Sequence, residues 1–129
     1  MKRIALILLL LPVSIVVFAQ TLKITSLEVS DPKNYNYSAD KSLGKDVIII
    51  VYDNSLSLKF PSEAAVILRQ TSDNEYTRVI SDNNTEIETC TVIVNKTLSL
   101  ITSAEITDRI DEKVGQHRTA WWKYIAKRF

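Results

Sequence analysis

The sequence predicts a mainly β domain, a small antiparallel barrel-like or sandwich fold with a minor helical element near its C-terminal end. Val, Ile, Thr, Tyr and Leu come in short runs, the residue types that suit a pleated surface. Asn, Asp and Ser clusters separate these runs at intervals of about 8–12 residues, the spacing of turns in all-β domains. Only the last third carries a helical signature.

The chain opens on a leader. Met1-Lys2-Arg3 is basic, Ile4 to Phe18 is apolar apart from Pro12 and Ser14, and Val17-Phe18-Ala19 offers small residues for cleavage. This is the build of a secretory signal peptide, with the cut expected between Ala19 and Gln20. The apolar run is shorter than the roughly 20 residues a spanning helix needs. Residues 1–19 are therefore read as a signal peptide and 20–129 as a single β-rich domain, exported to a periplasmic or secreted location.

Leu22 to Val29 is the first expected strand, with a phase slip between Ile24 and Leu27 that fits a β-bulge. Ser30 to Lys45 is a long polar loop carrying Tyr35 and Tyr37. Val47 to Tyr52 is apolar on both faces, which predicts a central strand covered on both sides. After the Asp53-Asn54-Ser55 turn, Leu56, Leu58 and Phe60 alternate with Ser57 and Lys59 as a half-buried strand. Ala64–Arg69 and Tyr76–Ile80 flank a hairpin turn at Thr71–Glu75. Ser81–Asn84 makes the next turn, Thr85–Val94 a longer strand, and Asn95-Lys96 a turn into Leu98–Ile101.

Thr102–Glu105 matches a capping box, and Ile106, Ile110 and Val114 recur every fourth residue. Gly115 stands where a C-cap belongs. That pattern predicts a short helix over Ser103–Val114, with Asp108, Asp111 and Glu112 on its wet face. Thr119–Phe129 fits a helix by the sorting of its apolar side chains and a strand by its residue types, and both readings stay open.

Composition excludes more chemistry than it reveals. The 16 bases and 15 acids give +1, and loss of Lys2 and Arg3 with the leader gives −1, so no net field favours nucleic acid. Two glycines cannot build a phosphate-cradling loop. The one histidine, His117, and one cysteine, Cys90, lack zinc-site spacing, and no G-x-S-x-G is present. Cys90 is read as a small core residue and His117 as a surface loop residue. Glu86 and Glu88 share a face of their strand. Paired acids can raise one another's pKa, but a wet strand edge explains them more simply. Turn chemistry likewise accounts for the Asx-rich segments without a bound metal. The expectation is a non-enzymatic domain with no cofactor or metal.

Two features rise above this background. Arg118–Phe129 interleaves bases with aromatics, and Trp121, Trp122, Lys123, Tyr124, Lys127 and Arg128 are its candidate binding residues. Tyr35 and Tyr37, set among Asn and Ser, are adaptable contact residues. The aliphatic strands and the lack of a catalytic constellation point to binding of a small apolar ligand or a partner protein, with Val47–Tyr52 and Cys90–Val94 lining the interior. The second reading is a module that docks on membrane surfaces or envelope glycans through its basic-aromatic end.

Overall fold

The computed structural model describes residues 16–34, 42–98 and 100–128. They form a closed antiparallel barrel of eight strands in sequence order, with the last strand bonded to the first. The strands are β1 (Val16–Val29), β2 (Asp46–Tyr52), β3 (Ser55–Lys59), β4 (Val66–Ser72), β5 (Glu75–Asp82), β6 (Glu86–Thr97), β7 (Leu100–Glu112) and β8 (Thr119–Lys127). A short 3-10 turn at Pro32–Asn34 is the one helical element among the described residues. The pairing of β1 with β8, from Lys23↔Lys127 to Val29↔Trp122, selects barrel over sandwich.

Period-two alternation places the core. In β2, Val47, Ile49 and Val51 are buried while Ile48 on the other face is 42% exposed. The expectation that β2 is covered on both sides is therefore corrected, because a barrel has no second layer outside it. In β1 the register slips between Ile24 and Ser26, so Leu22 and Ile24 and then Leu27 and Val29 all turn inward. Stacked rows fill the interior. Ile24, Ala126, Ala104 and Val94 lie side by side in register, and so do Leu27, Tyr124, Ile106, Val92 and Tyr76. Ser57 is buried on the outer face by its cross-strand neighbours Ile50 and Ile67.

The C-terminal third corrects the sequence reading most. Leu100–Glu112 is the strand β7, not a helix, and Thr119–Lys127 is a strand as well. Ile106 and Ile110 are four apart, a spacing that suits one face of a strand as well as one face of a helix. The long ladder with β6, from Glu86↔Glu112 to Thr97↔Leu100, decides between them. The Thr102–Glu105 cap signal is local and yields to tertiary pairing. β6 also continues through Asn95-Lys96 with a register shift, and the chain turns at Leu98 (φ 60°) instead. Gly115 (φ 74°) and His117 (φ 53°) belong to the exposed β7–β8 turn.

The outer face is mixed, with ion pairs set beside the exposed aliphatic side chains of Ile48, Ile67, Val79 and Ile93. Lys23 pairs with Asp46, Arg109 with Asp111, and Lys113 with Asp82. Asn83 Oδ1 accepts from the backbone N–H groups of Thr85 and Glu86 and from Thr85 Oγ1, so turn chemistry does explain this Asx cluster.

Candidate functional site

One end of the barrel interior is not filled. A cavity of about 220 Å³ lies where β3, β6, β7 and β8 face the β3–β4 connection. Leu58, Val66, Ile80 and Ile106 give it apolar walls. Phe60 and Tyr124 meet edge to face at 5.3 Å between ring centroids and form its aromatic side. Its polar groups are Ser42, Glu63, Glu88, Cys90 and Asp108.

Register explains this convergence. Cys90 pairs with Asp108 and Asp108 with Trp122, one row above the Val92–Ile106–Tyr124 layer, and Glu88 pairs with Ile110 one row further on. Asp108 follows Ala104 and Ile106 at two-residue steps, so it points inward with them. The wet-face position expected of it is thereby corrected. Its Oδ1 is buried without a hydrogen-bond partner. Burial first, then the hydrogen bond to Glu88 and the charges of Glu88 and Glu63, push its carboxyl up to about 7. Cys90 is buried, as the sequence reading had it. Desolvation, with Asp108 and Glu88 close by, pushes its thiol up to about 12, so it stays protonated and a poor nucleophile.

This carboxyl makes stability pH-dependent with a definite sign. The folded state holds a proton that the unfolded chain releases, so the contribution is complete below about pH 4 and is lost as pH rises to about 7. Asp108→Asn keeps the shape and removes the charge. Because the mouth is partly solvated, it is expected to gain about 1–2 kcal/mol at about pH 8 and nothing at about pH 4, read from urea melts at both pH values.

The barrel wall is incomplete beside the cavity. The β4–β5 ladder stops at Arg69↔Thr77, although β4 starts at Val66 and β5 runs on to Asp82. Extending the register would set Val66 opposite Ile80, and both line the cavity. Arg78 Nη1 donates to the Ile67 carbonyl at 3.4 Å across this gap.

The residues expected to bind do not form one surface. Trp121, Lys123 and Lys127 alternate with Trp122, Tyr124 and Ala126 along β8, and the second set shares the face of the buried Ala126. Tyr124 lines the cavity, while Trp121 and Lys123 face out. Lys123 Nζ lies 4.0 Å from Glu105 and 5.6 Å from the Trp121 ring centroid, so its charge is shared locally. Arg128 follows the end of β8, its backbone N–H donating to the Thr102 carbonyl. Tyr35 and Tyr37 lie outside the described residues. Of the expected interior segments, Cys90 contributes to the cavity, and Val47, Ile49 and Val51 pack in the filled part. Asp108 and Glu63 were missed as site residues. The Ala104–Ile106–Asp108–Ile110 alternation was the available signal for Asp108. Comparison with protein-family models, curated proteins and solved structures finds no match to this chain.

Proposed function

We propose that this protein is a small exported binding barrel that holds a small, largely apolar organic molecule in its mouth cavity without transforming it. The cavity itself carries the reading: about 220 Å³ of unfilled space with aliphatic and aromatic walls, at the one end where polar groups converge. An apolar cavity of about 150 Å³ takes a benzene-sized molecule, so this one suits a ligand somewhat larger. The β4–β5 gap offers an entrance through the wall, because ligand passing there need not break a formed ladder.

Export fits the geometry of β1. A cut after Ala19 removes the pairs of Val16, Phe18 and Ala19 with β2 and leaves every β1–β8 pair in place. The Gln20 side chain is held by both the N–H and the carbonyl of Ile101, at 2.6 and 2.8 Å, and anchors the new end.

The test is a nuclear magnetic resonance titration of the labelled protein with cyclohexanol, indole and n-hexanol. At least one probe should shift the amides of Phe60, Val66, Ile80, Cys90 and Tyr124 together. Val66→Trp, which fills the cavity, should abolish those shifts while the barrel still melts cooperatively. If no probe shifts these residues, or if the filled variant responds like the parent, the reading is wrong.

A further inference from the structure

We infer that the mouth cavity selects a molecule that joins a protonated amine to a short apolar body. The inference rests on the binding role proposed above and assigns the chemistry of the ligand. Glu63, Glu88 and Asp108 all line this one small space, and among the described residues no lysine, arginine or histidine lines it with them. A neutral or anionic ligand would leave these carboxyls without a counter-charge in a partly desolvated site, which is costly. An ammonium group supplies that charge and three N–H donors.

The second observation is Asp108 Oδ1. This oxygen is buried and has no hydrogen-bond partner, a condition that native structures rarely leave uncompensated. A donor placed between Asp108 and Glu88 satisfies it. The edge-to-face Phe60–Tyr124 pair forms part of the same cavity wall and can take a cation against a ring face. The aliphatic walls at Leu58, Val66 and Ile106 then receive the carbon chain.

The groups around Asp108 fix how binding depends on pH. Glu88 and Cys90 reach it from β6, Glu63 from the β3–β4 connection, and Tyr124 lines the same cavity from β8. Two bases among the described residues, Lys59 and Arg78, are engaged with backbone carbonyls. Lys59 Nζ donates to the backbone carbonyls of Phe60 and Glu63, and Arg78 Nη1 to that of Ile67. Amine binding therefore displaces the proton that Asp108 holds against Glu88 and releases it to solvent. Affinity for the amine rises with pH until Asp108 is ionised, whereas affinity for a neutral isostere stays flat.

The experiment compares n-hexylamine, n-hexanol and hexanoate by calorimetry on the full processed domain at about pH 8 and about pH 5.5. At about pH 8 the amine should bind at least about tenfold more tightly than the alcohol, and hexanoate least. At about pH 5.5 the amine should lose about tenfold and the alcohol less than about twofold. Asp108→Asn should remove most of the amine's advantage over the alcohol at about pH 8. Glu63→Gln, at an exposed rim position, should lower amine affinity by a smaller factor without disturbing the fold. Equal binding of amine and alcohol by the parent protein, or an amine preference that survives both substitutions, would overturn the charge assignment and keep the cavity role. Failure of all three probes to bind would overturn both.

Discussion

A chain that stops at Gln116, before β8, is expected not to fold. It should show no cooperative thermal transition and lose most of its strand signal in circular dichroism. β8 is bonded on both sides, to β7 from Asp111↔Thr119 to Ser103↔Lys127 and to β1 from Val29↔Trp122 to Lys23↔Lys127. Trp121 is further tied to Ser30, whose backbone N–H donates to the Trp121 carbonyl while the Trp121 N–H donates to Ser30 Oγ. Removal leaves two long edges unpaired and uncovers Ala104, Ile106 and Ile24. Domains of this size are stable by only about 5–15 kcal/mol, and opening the barrel exceeds that margin. A truncated chain that folds and merely loses liposome or glycan binding would instead make this segment a docking appendage.

Tyr76→Ala is expected to cost about 3–5 kcal/mol, measured by urea denaturation. Tyr76 is 2% exposed, sits in the row of Val92 and Ile106, and is the largest of the fully buried side chains. Its loss leaves a cavity in the filled half of the barrel, where two sides are already fixed by ladders. Burial also raises the phenol's pKa. Tyr76→Phe keeps the ring and should cost under about 1 kcal/mol. Equal losses for the two variants would mean that the hydroxyl, not the packing, carries the effect.

Strands with a clean alternation were legible from sequence alone. Leu56 and Leu58 against Ser57 and Lys59 announced β3, and the Ile24–Leu27 slip announced the β1 bulge. β7 was not legible, because Ile106 and Ile110 satisfy both periods and a capping pattern precedes them. Reading that segment as a helix turned Asp108 outward and hid the site. Glu88 stands out in the sequence but its neighbour Asp108 does not, since the two meet diagonally across the β6–β7 register rather than through nearness in sequence. Closure was illegible for the same reason: Leu27 and Tyr124 become neighbours only through β1–β8 pairing. The mixed character of Trp121–Lys127 reflects a strand with one wall in the barrel and one in water.

Closure of the barrel on itself positions the mouth, its carboxyl pair and its entrance. The most direct test is a cross-strand nuclear Overhauser measurement on residues 20–129 in solution. Contacts between Leu27 and Tyr124, and between Cys90 and Asp108, are the predicted result. Helical i to i+3 contacts across Ser103–Val114, with none between the first and last strands, would contradict it.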